Sequence, residues 1–256
     1  MSALADAVRL SVGSFSAVPV APPGTVDRAT AGRAVALAPL AVVPVGVLVG
    51  VTAWVGREMP LPAIVTGALA IGVGALGTRA FHLDGLADTV DALSASYDRE
   101  RALAVARTGD VGPAGAVALV LVLLVQAGAA GAVASSSWGP AFVALAWCLS
   151  RAAATEGVQR GVPAARAEGL GRVFAESLPR WAPVVAWLLV AAVLGGLTWW
   201  NDGSSWGVIG VLVACATTRY LVAHTVRRFG GIVGDVLGAS IELSLAFLLV
   251  GLAAAV

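Results

Sequence analysis

The chain has 256 residues, of which 59 % are hydrophobic and only 12 % charged, with a mean hydropathy of +0.90 and a formal net charge of +1. Soluble domains carry about 25 % charged residues, so the composition excludes an ordinary soluble protein and marks an integral membrane protein. The near-neutral balance leaves no electrostatic footprint for nucleic acid. All 16 basic residues are arginine, which with the abundance of Ala, Val and Gly suggests GC-rich bacterial coding.

A spanning helix needs about 20 largely apolar residues. The first 32 residues are mildly polar, with no apolar core behind a basic start, and do not read as a cleaved signal peptide. The first apolar run is 33–57, with Pro39 and Pro44 inside it, and a second lies at 58–79. A polar segment follows at 79–110, with a short surface helix expected at 98–107. Residues 111–150 carry no charge; as one helix they would be about 60 Å long, twice a bilayer, so a turn at 135–140 divides them into two spans. A second polar segment at 156–180 precedes three more spans, 181–200, 205–226 and 236–256. The expected architecture is one all-α, polytopic domain over 1–256 with about seven transmembrane helices. Cys148 and Cys215 lie in apolar runs without ligand spacing and read as packing residues.

Seven spans put the termini on opposite sides and sort the charges. The N-terminal segment and residues 79–110, 156–180 and 227–235 share one side, whereas the other receives only Arg57, Glu58 and Asp202 as charged loop residues. By the positive-inside rule the charge-rich side is cytoplasmic. The expected location is a bacterial plasma membrane, with the N-terminus and the functional face in the cytoplasm.

The chemistry concentrates in Phe81-His82-Leu83-Asp84-Gly85-Leu86-Ala87-Asp88-Thr89-Val90-Asp91. On a helix, Asp84, Asp88 and Asp91 stack on one face. Three like charges there are either solvated or gathered around a divalent cation such as Mg²⁺, which takes carboxylate oxygens together with water and phosphates. The glycine-rich turn before the last span, Arg228-Phe229-Gly230-Gly231-Ile232-Val233-Gly234-Asp235, can offer backbone NH groups of Gly230, Gly231 and Gly234 to a phosphate. Asp235 is either a metal ligand or an N-cap. Arg151 and Arg219, inside spans, either pair with an anion or snorkel. Glu242 pairs with an arginine or a metal. Of the two histidines, His82 fits substrate hydrogen bonding or proton transfer, and His224 a structural place. The loop at 166–172 is a substrate clamp or a basic anchor.

Three ordered motifs resemble the cobalamin synthase family: His82–Asp91, the Arg/Glu-Gly-Leu-Gly loop at 165–172, and the Gly-Gly-x-x-Gly-Asp-x-x-Gly turn at 230–238. Val111–Gly115 and, faintly, Phe15–Val20 extend the likeness. Ala17, Thr108 and Val233 depart from the family pattern, which has arginine, aspartate and commonly threonine there. The resemblance implies a membrane transferase that joins adenosylcobinamide-GDP to α-ribazole or its 5′-phosphate and releases GMP. It implies Mg²⁺ held by Asp84, Asp88, Asp91 and Asp235, catalysis by Asp84, Asp88, Asp91 and His82, and substrate or phosphate binding by Arg79, Arg107, Asp110, Arg151 and Arg228 with the glycine turn. Oligomerisation is compatible with it. A CDP-alcohol phosphotransferase is the nearest alternative, but its motif has Ala-Arg where this chain has Ala87-Asp88. A secondary transporter, with Arg151, Arg219 and Glu242 as a charge relay, is the alternative of another class.

Overall fold

The computed structural model describes residues 2–106 and 109–256; Arg107 and Thr108 lie outside them. The described chain is helical, and its only β pairing is two isolated bridges, Gln159 with Leu178 and Ala164 with Ile232. α1 (Ala3–Phe15) and α2 (Arg28–Ala41) pack together, and α3 (Val43–Glu58) follows α2 after Val42. Pro44 sits in the first turn of α3. Having no N–H and a bulky ring against the preceding turn, it restarts the helix there. The expected span at 33–57 is therefore two helices.

α4 (Ala63–Gly77) has 15 residues, and α5 (Phe81–Ala95) leaves it at 92°. The corner is made by Arg79 (φ 54°) and Ala80 (φ 56°), two successive non-glycine residues in the left-handed region. Each costs about 1–3 kcal/mol and persists only where its surroundings over-determine it. Here Ala80 N donates to Ala75 O at 2.8 Å, and Ala17 N donates to the open Gly77 carbonyl at 2.7 Å. The N-terminal segment thus closes the end of α4. Asp84 is exposed on α5, a position no carboxylate holds cheaply in hydrocarbon. α5 therefore runs along the membrane face, outside the spans. α6 (Arg99–Val105), capped by Asp98, matches the expected surface helix up to the edge of the described residues.

α7 (Pro113–Ala134) spans. α8 (Gly139–Leu149) tightens into a 3₁₀ turn at Ser150–Ala153 and continues as α9 (Ala154–Val158). α10 (Leu170–Phe174) is a single loop turn, and α11 (Ala182–Asp202), α12 (Trp206–Phe229) and α13 (Gly234–Ala253) complete the chain. Among the described residues four unbroken helices, α7, α11, α12 and α13, are long and apolar enough to cross a membrane, and a fifth if the bent α4–α5 pair counts as one span. The structure thus bears out a helical membrane protein and not the count of seven: the 33–57 run is split, α4 is short, and the run expected at about 141–150 is an α-helix with a 3₁₀ turn.

α13 is the central helix. Of its apolar stretch 78 % is buried inside the protein, against 28 % for α7, and it packs on α5, α7 and α12. Val117, Val120, Leu121 and Leu124 on α7 stay exposed, as lipid-facing side chains of a span do.

Candidate active site at one face of the helical bundle

The crossing of α5 and α13 builds the site. A Cβ on Gly85 would lie 2.7 Å from the Asp235 carbonyl oxygen, and one on Gly238 would lie 3.0 Å from both the Cα and the carbonyl oxygen of His82. Only bare glycines allow the backbones so close, the means by which membrane helices replace a hydrophobic drive. The contact sets Asp235 beside the first turns of α5. Partial burial, then the charges of Asp84, Asp235 and Asp91, push the Asp88 carboxyl up to about 6, with the Arg166 guanidinium acting against them. The same Arg166 bears on Asp235. Asp84, Asp88, Asp235 and Arg166 are thus one electrostatic cluster, although about 150 residues of chain separate its parts.

Two cavities meet at Gly234 and Asp235. One, of about 150 Å³, is lined by Arg166, Arg172 and Ile232–Asp235 among others. The other, of about 350 Å³, is lined by Phe15, Phe81, His82, Asp84, Phe174 and the first turns of α13. Val233 occupies the N-cap position of α13 and supplies no side-chain cap. The first amides of a long helix, at its positive end, therefore face the arginine-lined cavity free of any side-chain cap, an arrangement suited to a phosphate.

The 163–165 loop is stitched to the glycine turn: Ala165 N donates to Ile232 O (2.8 Å) and Ile232 N to Pro163 O (2.9 Å). A Cβ on Gly231 would stand 2.5 Å from Pro163 O, so Gly231 serves this loop-to-loop approach and not a ligand. Gly230 (φ 75°) closes α12, its N donating to Val226 O at 2.9 Å. Of the three candidate glycines, Gly234 alone lines the cavities.

Other candidates point elsewhere. Both Asp91 oxygens are engaged, accepting from Gly112 N (2.7 Å) and Gly115 N (2.8 Å). Asp91 thereby caps the start of α7 from another helix. With exposed Asp110 it lines a separate hollow beyond α5. Arg228 donates to the carbonyls of Leu93 (3.2 Å) and Ser96 and lies over Tyr97, closing the end of α5. Arg151, 1 % exposed, stacks on Trp147 and donates to Trp147 O and Ser150 Oγ, deep in the bundle beside Glu242. Glu242 accepts from Gln126 (2.8 Å). Arg219 pairs with buried Glu156 at 3.4 Å. Arg79 is exposed in the α4–α5 corner, and Arg107 lies outside the described residues. His82 is 6 % exposed, and neither ring nitrogen has a hydrogen-bond partner. His224 stacks on Tyr220.

Among the described residues no group of three or more His, Cys, Asp or Glu forms a metal cage. Mg²⁺ does not require one, since it usually takes one or two carboxylates and completes its shell with water and substrate phosphates. Asp84 and Asp235, crowded by Asp88, suit that kind of site. Phe15 and Phe174 were not picked out as site residues from the sequence, and Arg166 and Arg172 only as the two ends of the basic loop.

These features define a polytopic helical membrane protein with a carboxylate–arginine cluster at one face. A family model described as cobalamin-5-phosphate synthase matches residues 7–253, and the chain belongs to that family. It is 47 % identical over 249 residues to an adenosylcobinamide-GDP ribazoletransferase of a Nocardioides species, covering 97 % of this chain and 99 % of that one. Proteins of the same name from Frankia casuarinae (36 %; 91 % and 88 % covered) and Corynebacterium efficiens (32 %; 99 % and 93 %) are also similar. No solved structure matches the chain.

Proposed function

We propose that this protein joins adenosylcobinamide-GDP to α-ribazole or its 5′-phosphate at the junction of the two cavities, releasing GMP. The observation that carries the reading is the convergence of Asp84, Asp88 and Asp235 with Arg166 at the Gly85–Asp235 contact. A ribose hydroxyl oxygen bonds to the cobinamide-linked phosphorus, and the bond from that phosphorus to the bridging oxygen breaks. GMP leaves with the electron pair, and the hydroxyl proton goes to a carboxylate. Asp88, held near 6, is more basic than an ordinary carboxylate and suits that transfer.

Phosphoryl transfer asks mainly for positioning and charge stabilisation. Arg166, Arg172 and the first amides of α13 hold the non-bridging phosphate oxygens. Asp84 and Asp235 would hold Mg²⁺, which when bound neutralises diphosphate charge and acts as a Lewis acid, leaving Asp88 to take the proton. Asp91 serves by fixing α7 against α5. The face that carries the site also carries the arginine-rich loops, and by the positive-inside rule this supports a cytoplasmic site.

The test is purified protein in detergent with adenosylcobinamide-GDP, α-ribazole and Mg²⁺, read for GMP and the cobalamin product. Wild type should turn over; Asp84→Asn and Asp235→Asn should lose most activity while unfolding at the wild-type temperature. Near-wild-type turnover in both variants at saturating Mg²⁺ would overturn the assignment.

A further inference from the structure

The larger cavity has a composition that the diphosphate does not explain. Phe15, Phe81 and Phe174 stand in its wall with Leu237 and Ile241, and neither Arg166 nor Arg172 lines it. Its volume, about 350 Å³, lies at the small end of ligand pockets. In this apolar wall sits His82, more than nine-tenths buried, near Phe15 (ring centroids 6.0 Å apart) and with both nitrogens unpartnered. A buried polar group without a partner costs about 1–3 kcal/mol, so such a group calls for an explanation. At the mouth, Gly234 and Asp235 join this cavity to the arginine-lined one.

Resting on the proposed reaction, we infer that this cavity is the acceptor subsite: it receives the flat bicyclic base of the ribazole nucleoside, and His82 donates a hydrogen bond to the ring nitrogen that carries no sugar. An apolar, aromatic-walled pocket with one convergent polar group is what a planar heteroaromatic ring requires. An imidazole offers an N–H donor in either protonation state. With the base seated here, its sugar reaches the mouth at Asp84 and Asp235, and the donor's phosphates enter from the Arg166–Arg172 side. The two substrates meet from opposite cavities, and the acceptor is read by its ring nitrogen. His82 is then a specificity-determining residue.

The probes are 1-methylbenzimidazole and 1-methylindole, alike in shape and differing in the free ring nitrogen, used as inhibitors competing with α-ribazole on the whole protein in detergent. Wild type should bind the benzimidazole about tenfold or more tightly than the indole, and His82→Phe should abolish that difference. His82→Phe should also raise KM for α-ribazole about ten- to hundredfold, the worth of one buried hydrogen bond, and leave KM for adenosylcobinamide-GDP within about threefold. His82→Gln, which keeps a donor, should recover part of the loss. Phe81→Ala, at a half-exposed wall position, should weaken both probes equally. Equal binding of the two probes by wild type, or a parallel rise in both KM values in His82→Phe, would overturn the subsite. So would an unchanged α-ribazole KM in both His82→Phe and Phe81→Ala. A wild-type protein that forms no cobalamin product would instead overturn the proposed reaction.

Discussion

The closest approach of α5 to α13 offers a sharp test of how the site is assembled. In Gly85→Ala the new Cβ would lie 2.7 Å from the Asp235 carbonyl oxygen, whereas ordinary contact begins at 3.4 Å. The two helices must part by the difference, about 0.7 Å. The effects on stability partly cancel: alanine improves on glycine in a helix by about 0.5–1 kcal/mol, and overpacking costs about 1–3 kcal/mol, leaving a net loss of at most about 2.5 kcal/mol. The effect on chemistry is larger. Misplacing reacting groups by about 1 Å can cost 10²-fold, so a parting of this size should lower kcat by about ten- to hundredfold. GMP release at saturating substrates, with thermal unfolding in the same detergent, separates the two effects. Gly196→Ala is the control, since nothing lies within 4 Å of a Cβ there. A folded Gly85→Ala protein with kcat within twofold of wild type would refute the crossing as the device that aligns Asp84 with Asp235.

Asp91→Asn puts an amide NH₂ against one of two helix amides, so it should cost about 1–2 kcal/mol of stability while keeping far more turnover than Asp84→Asn; denaturation and GMP release together check it. Arg166→Gln should raise KM for adenosylcobinamide-GDP about tenfold or more, whereas Arg228→Gln should chiefly lower the unfolding temperature. The Asp88 carboxyl, raised from 3.8 to about 6, binds its proton more tightly folded than unfolded. Its contribution to the stability of chelator-treated protein is therefore lost as pH rises from about 4 through 6. Added Mg²⁺ should raise the unfolding temperature at pH 7.5 and much less at pH 5, and Asp88→Asn should flatten that pH dependence. For the orientation, with Cys148 and Cys215 replaced by alanine, Ser205→Cys should react with an impermeant thiol reagent from outside intact cells and Ala167→Cys should not; the opposite pattern refutes a cytoplasmic site.

Much of this protein is written in local chemistry. Apolar runs interrupted by arginine loops, read against the length of a bilayer, establish a helical membrane protein. Asp84 and Asp88, one turn apart, establish a carboxylate face on α5. The glycine turn before the last helix reads as a candidate phosphate contact, and the basic loop at 166–172 as a substrate clamp or a basic anchor. These are properties of single stretches, and backbone periodicity makes them visible without a fold.

What the tertiary structure decided is which neighbour each residue meets. Asp91 shares the face of Asp84 by periodicity, yet it lies about 10 Å further along α5. There the start of α7 takes both its oxygens, and it serves as a cap. Gly231 looks like a phosphate-loop glycine and instead admits the backbone of Pro163. Arg79 and Ala80 carry no glycine or proline signal, yet they hold the left-handed corner that turns α5 across the membrane face, because Ala17 and Ala75 bond the chain there. Phe15 and Phe174 come from distant segments to wall one cavity with His82. None of these pairings has a sequence period, because each depends on how closely two helices or loops can approach. That distance is set by side chains absent on one partner and backbone present on the other.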